Sequence, residues 1–174
     1  MNKIEHKLLN GNRLYIRKIA AKVDYTELLR KLVQGQHPYA LIVTCSDSRV
    51  VPEIIFSSFL GELFVIRTAG NVINEGELAS IEYGIEHLKI PYVLVLGHTH
   101  CGAVHAAIHK EKAEYLDCIL DNISHSIGDE CDEEEASKLN AMKQRDFIRS
   151  KFPNYLGEIK AAIYNIETKQ VNIL

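Results

Sequence analysis

Three short apolar runs stand out in the middle of the chain, at 39–45 (YALIVTC), 62–68 (ELFVIRT) and 92–97 (YVLVLG). They are rich in β-branched residues and lack the alternation of polar and apolar positions that a half-exposed strand has. Continuous runs of this length are typical of strands that are buried on both faces of a parallel sheet. The pattern therefore predicts three central strands.

Segments with helical periodicity lie between and after these runs. Pro52 begins a predicted helix over 52–60, because proline favours the first helical position. Apolar residues recur at helical spacing over 76–89, and another helix is expected to start near Gly102. Strands that alternate with helices imply a parallel sheet with right-handed crossovers.

The N-terminal part of the chain predicts a helical arm over 1–35. A mixed helical pattern covers roughly 2–20. A second helix is expected after Asp24, which has Glu27 three residues later, as in a capping box, and it should end at Gly35.

The C-terminal part predicts helices over 110–151 that are interrupted by an acidic loop, GDECDEEE. We interpret this loop as a solvated turn and helix start, not as a cation site. The final segments EIKAAIYNIE and QVNIL predict a strand, a turn at Thr168 and Lys169, and an edge strand. The expected fold is α/β, a single domain over 1–174 with a central, mostly parallel β-sheet flanked by helices.

Length and charge narrow the function classes. A chain of 174 residues suits one domain, and a formal net charge of −3 disfavours a nucleic-acid partner. No apolar run approaches the roughly 18 residues of a membrane-spanning helix. The first residues lack the apolar core of a secretory signal, so a cytoplasmic protein is expected.

Two cysteines and a histidine follow the predicted central strands. Cys45 ends the first strand, His98 comes just after the third, and Cys101 lies at the start of the next helix. Ligands of open α/β sheets bind outside the carboxyl ends of the strands, so these residues should meet. Two thiolates and one imidazole favour zinc, and three protein ligands leave the fourth position for water, as in catalytic sites. The other cysteines are expected in a helix core (Cys118) and as an exposed thiol (Cys131).

Asp47 and Arg49 lie two and four residues beyond Cys45. A carboxylate beside a metal site can accept a hydrogen bond from bound water, and an arginine can hold that carboxylate by a bidentate ion pair. The alternative is an ordinary surface ion pair, which would contribute under about 1 kcal/mol to the stability of the fold. The proximity to Cys45 favours the functional interpretation.

Several histidines could serve as proton carriers, namely His100, His105 and His109. The spacing of His105 and His109 also suits a second metal. Because no third ligand converges on them in the sequence, an exposed helix face is the preferred interpretation.

Three motifs carry a family resemblance: CSDSR at 45–49, RTAGN at 67–71 and GHTHCGAV at 97–104. They resemble the β-class carbonic anhydrases in the form found in many bacteria. The resemblance implies a carbonate dehydratase, a zinc lyase that reversibly hydrates carbon dioxide to bicarbonate and a proton through zinc-bound hydroxide. It implies one Zn²⁺ per subunit on Cys45, His98 and Cys101, with Asp47 and Arg49 as the catalytic dyad. It also implies a substrate pocket that includes Gln36, Phe64, Ala69, Tyr83 and Gly102.

In this family some pocket residues come from a neighbouring subunit. The resemblance therefore implies a homodimer or tetramer, in which the arm at 1–35 packs on a partner subunit. One subgroup of the family binds inhibitory bicarbonate with the help of a tryptophan. This chain has Ile42 at that position and no tryptophan, although Arg67 matches that subgroup's arginine, so no such site is expected.

Two alternatives stay open at this stage. Carbonyl sulfide or carbon disulfide could replace carbon dioxide as the substrate of a hydrolase with the same fold. A non-enzymatic zinc-binding module is the second alternative, and the Asp47–Arg49 pair argues against it. A nucleotide-binding domain is disfavoured because no G-x-G-x-x-G or Walker sequence follows a strand.

Overall fold

A computed structural model describes residues 25–174 of the chain. The helical pattern predicted over 2–20 and the helix start at Asp24 lie outside the described residues. Among the described residues, 25–36 belong to one compact unit and 37–174 to another. In the first unit, helix α1 spans Thr26–Leu32, three residues short of the predicted end at Gly35. The packing of the arm on a partner stays a prediction.

The second unit contains a five-stranded sheet in the order β2-β1-β3-β4-β5. The first four strands are parallel, and β5 pairs antiparallel with β4 as an edge strand. This arrangement confirms the predicted α/β fold with its C-terminal edge strand. The strands are β1 (Ala40–Cys45), β2 (Leu63–Thr68), β3 (Tyr92–His98), β4 (Glu158–Tyr164) and β5 (Val171–Ile173).

Helices flank this sheet. They are α2 (Pro52–Ile55), α3 (Glu75–Glu82), α4 (Gly102–Ile108), α5 (Asp117–Ile127) and α6 (Glu133–Lys151). None of the helices between residues 25 and 174 has the length and apolar character needed to cross a membrane.

The central strands are buried on both faces, as their continuous apolar sequence predicts. All six residues of β1 are buried. Successive side chains of a strand point to opposite faces. Leu41 and Val43 accordingly join one core cluster, whereas Ile42 joins another with Leu94 and Leu96 of β3. The two cores hold β1 and β3 in place from both sides.

The helix predicted over 52–60 is wrong in length, since α2 ends at Ile55. Ser57 adopts a left-handed backbone conformation (φ 51°), which a helix cannot contain. The following turn is held locally, because the Phe59 N–H donates to the Glu62 carboxylate at 2.6 Å. This turn takes the place of the helical residues predicted after Ile55.

The helix predicted over 76–89 is present but changes its winding. After α3, residues Tyr83–His87 form a π-helical turn, in which the Leu88 N–H donates to the Tyr83 carbonyl at 3.1 Å. A Cβ at Gly84 would lie 2.6 Å from Leu41 Cδ1, so glycine permits the close approach to β1.

The C-terminal helices agree with the predicted interruption. The Asp132 side chain caps α6 by accepting from the Glu135 N–H at 2.8 Å, as expected of a helix start. Cys131 is exposed in the preceding loop, as predicted, whereas the core position predicted for Cys118 is wrong because that residue is exposed.

Candidate metal centre

The three predicted ligands converge at the carboxyl edge of the sheet. Cys45 is the last residue of β1, His98 is the last residue of β3, and Cys101 immediately precedes α4. Because β1 and β3 are parallel neighbours, their carboxyl ends meet at one edge. One ligand atom from each residue lies within 4.8 Å of the other two. Among residues 25–174, no other set of three such donors converges in this way.

His98 presents one nitrogen to this cluster. Its side chain is fully buried, and Nδ1 lies 2.9 Å from the Thr99 carbonyl, to which it donates. That hydrogen bond leaves the lone pair on Nε2, which is buried and has no hydrogen-bond partner in the described part of the chain. A buried polar atom without a partner is costly, and metal ligation is a usual reason for one.

The two sulfurs differ in their electrostatic surroundings. The pKa of Cys45 is lowered to about 4, first by the Cys101 thiol and then by His98 and the backbone N–H groups of Asp47 and Gly70. The pKa of Cys101 is raised by its hydrogen bond to Cys45 and by burial. The protein groups alone therefore stabilise one thiolate. A divalent cation would stabilise the second, so this donor set fits zinc.

The Asp47 carboxylate is oriented by Arg49. Its Oδ1 accepts from the Arg49 backbone N–H at 2.9 Å and from Nε at 3.0 Å, while Oδ2 accepts from Nη2 at 2.7 Å. The Arg49 side chain holds the pKa of Asp47 at about 2. Oδ2 also lies 4.0 Å from His98 Nε2. A carboxylate that is ionised at neutral pH thus lies beside the three ligand atoms.

Arg67 stabilises the loop that carries this pair. Its guanidinium donates to the carbonyls of Cys45 (3.2 Å), Asp47 (2.7 Å) and Val50 (2.8 Å). From the sequence, Arg67 was linked only to a bicarbonate site, and this role was missed. The signal that could have indicated this role was the position of Arg67 near the end of β2, where Arg67 pairs in register with Thr44 of β1.

The predicted pocket residues lie on different elements. Phe64 is half-buried on β2, with its ring centroid 6.1 Å from that of Tyr83, whose side chain is exposed. Ala69 follows β2, and Gly102 begins α4. Gln36 is exposed and belongs to the first unit. Their roles towards a substrate stay predictions.

The other histidines between residues 25 and 174 are exposed. His105 Nδ1 lies 2.6 Å from Glu133 Oε1, and the rings of His105 and His109 are 4.1 Å apart. His100 Nε2 lies 3.3 Å from Glu167 Oε1, and its carbonyl accepts from Arg49 at 3.0 Å. Proton transfer through any of them stays a prediction.

Comparison of the chain with known protein families and known proteins points to a single family. The family model described as "Carbonic anhydrase" matches residues 40–173. A carbonic anhydrase of Synechococcus elongatus is 41% identical over 127 residues, which cover 69% of this chain and 46% of that protein. Carbonic anhydrase 2 of Mycobacterium tuberculosis is 54% identical over 77 residues, covering 44% of this chain and 37% of that protein. The chain thus spans less than half the length of these curated relatives.

A solved structure also matches along nearly the whole chain. The β-carbonic anhydrase CcaA superposes with a TM-score of 0.83 at 29% identity, and the match covers 98% of this chain and 95% of that one.

Proposed function

The chain belongs to the β-class carbonic anhydrase family, and we propose that it hydrates carbon dioxide reversibly with one zinc ion per subunit. The observation that carries this proposal is the convergence of Cys45, His98 and Cys101 to within 4.8 Å beside an ionised carboxylate.

The donor set fits zinc, because the set combines two sulfurs with a buried imidazole nitrogen that has no hydrogen-bond partner among the described residues. When bound, zinc lowers the pKa of water and so supplies a nucleophile near neutral pH. Cys45, His98 and Cys101 would hold the ion with three protein ligands, which is the number that catalytic zinc sites use.

Asp47 would orient the attacking water by accepting its hydrogen bond, so that a lone pair faces the carbon of the substrate. Arg49 contributes by holding that carboxylate through two side-chain hydrogen bonds, which keep it ionised and restrict its approach to the metal. Within the second unit, carbon dioxide would bind near Phe64, Ala69, Tyr83 and Gly102, which match pocket positions of the family, and Phe64 is the half-buried aromatic side chain among them.

Two measurements on the purified protein test the proposal. The zinc content should be one ion per subunit, and stopped-flow assays should detect carbon dioxide hydration that disappears on chelation and returns with zinc. Turnover of carbonyl sulfide and carbon disulfide, measured alongside, should be slower. Faster turnover of either sulfur compound would reassign the substrate, and zinc without any turnover would favour a binding module.

Self-association as a homodimer or tetramer belongs to the same proposal. It is supported by large apolar side chains on the surface of the second unit, for example Ile54 (75% exposed) and Phe59 (56% exposed). Light scattering should give a mass of at least two subunits. A monomer with full activity would contradict it.

A further inference from the structure

We propose that Asn140 and Gln144 of α6 are positioning residues for the metal centre, acting on Cys45 through the backbone of Gly70. This inference rests on the proposed zinc site and adds residues that are about a hundred positions away from Cys45 in the sequence. Neither residue lies close to the ligands along the chain, and both are buried, with 0% and 3% of their surface exposed.

The first step is a hydrogen bond to the ligand itself. The Gly70 N–H donates to Cys45 Sγ at 3.3 Å. A donor aimed at a thiolate stabilises its negative charge and fixes the direction of its lone pairs. The position of the Gly70 N–H therefore matters to the geometry and affinity of the metal site.

The turn that presents this N–H is unfavourable by itself. Gly70 and Asn71 both have left-handed backbone conformations, with φ of 63° and 50°. For a non-glycine residue this region is sparsely populated and requires support from the surroundings. A Cβ at Gly70 would lie 2.7 Å from Ile123 Cδ1, so the Ile123 side chain of α5 packs closely against one side of the turn.

Asn140 supplies the support from α6. Its Nδ2 donates to the Gly70 carbonyl at 2.8 Å. The Gly70 N–H and carbonyl belong to the two peptide groups on either side of one Cα. Holding the carbonyl therefore restricts the rotation that would swing the N–H away from Cys45.

Gln144 orients the Asn140 amide and the far end of the turn. Its Nε2 donates to Asn140 Oδ1 at 3.3 Å and to Asn122 Oδ1 at 2.7 Å, and its Oε1 accepts from the Ile73 N–H at 3.0 Å. With its oxygen engaged in this way, the Asn140 amide can direct only its nitrogen to Gly70. A continuous chain of hydrogen bonds thus joins helices α5 and α6 to the sulfur of Cys45.

Zinc affinity tests this chain of contacts directly. Asn140→Ala removes the donor, and Asn140→Asp replaces it with an acceptor of the same shape. Ser137→Ala is the matched control, since Ser137 is buried one turn earlier on α6 and donates only to the Glu133 carbonyl within its own helix. Competition with a chelator should give a zinc affinity lowered about 10- to 100-fold in both Asn140 variants and within about twofold of wild type in the control.

A readout on the wild-type protein covers the case in which the variants do not fold. With ¹¹³Cd in the site, the Gly70 amide proton should show scalar coupling to the metal through the Cys45 sulfur. In a folded Asn140→Asp protein this coupling should weaken or vanish. If the coupling is absent in wild type, or the Asn140 variants bind zinc as the control does, the inference is wrong. Such a result would leave the proposed function intact, whereas wild-type protein that binds no zinc would refute both.

Discussion

The two ends of the parallel sheet differ in what they offer a ligand. At the amino ends of β3 and β4 lie two cavities of ≈ 400 and ≈ 340 Å³, both bordered by Tyr155 and Gly157. At the carboxyl ends of β1 and β3, the ligand atoms of Cys45, His98 and Cys101 are buried close together. The amino end has no such set of converging donors among the described residues. A cavity alone therefore does not indicate a metal site here, whereas the converging donor atoms at the carboxyl end do.

Removal of a ligand should have the largest effect. Cys45→Ser, His98→Ala and Cys101→Ser should each abolish zinc binding and carbon dioxide hydration, because two remaining ligands hold the metal poorly. Each should also lower the free energy of unfolding by about 3 kcal/mol or more, since metal-binding energy contributes to folding. Metal analysis and denaturant titration measure both effects. Leu156→Ala, at the amino end and fully exposed, is the control and should change neither.

Loss of the carboxylate should separate catalysis from metal binding. Asp47→Asn should retain zinc but lower kcat about 100-fold or more, because the amide cannot accept and orient a proton in the same way. Glu158→Gln provides a carboxylate control at the amino end, where Glu158 pairs with Lys160. Equal kcat values for the two variants would remove Asp47 from the mechanism.

The pH profile tests whether the carboxyl end activates water. Two thiolates neutralise the charge of zinc, so water should be acidified less than by a site with three neutral histidines. Activity should therefore rise with pH to a plateau above neutrality. Initial rates that are constant between about pH 6 and 9 would argue against this mechanism.

A change at the amino end should affect stability and leave activity alone. The Tyr155 hydroxyl donates to the Ile90 carbonyl at 2.7 Å, and partial burial raises the pKa of Tyr155 to about 12. Tyr155→Phe should cost about 1 kcal/mol of unfolding free energy through the lost hydrogen bond. Denaturation curves together with kcat/KM check this, and a large loss of activity would show that the two ends are coupled.

The smallest expected effect is the loss of stability at low pH, when the carboxylate of the Asp47–Arg49 ion pair is protonated. The pKa of Asp47 is lowered to about 2 by Arg49, below its value of about 4 in an unfolded chain. The ion pair therefore stabilises the fold above about pH 4, and this contribution is lost as pH falls towards 2. Because the pair is partly exposed, the effect should stay below about 1 kcal/mol. Metal-free wild type and Asp47→Asn should differ in stability at pH 6 and converge at low pH.

The parts that sequence could predict are those with a local or periodic signal. The strands β1 and β3 are continuous apolar runs, and the meeting of Cys45 with His98 follows from the rule that parallel strands share a carboxyl edge. The short α2 and the π-helical turn depend on contacts that have no periodic signal, such as the approach of Gly84 to Leu41. The hydrogen bond between Asn140 and Gly70 joins residues 70 positions apart, and only the packing of α6 on the sheet brings them together.

The coordination shell of zinc can be measured by X-ray absorption at the zinc edge of the purified protein. We expect two sulfur neighbours at about 2.3 Å and two nitrogen or oxygen neighbours at about 2.0–2.1 Å, of which His98 supplies one and water the other. With Cys45→Ser, any zinc that remains should show a single sulfur. Four sulfur neighbours, or a shell without sulfur, would contradict the proposed metal centre.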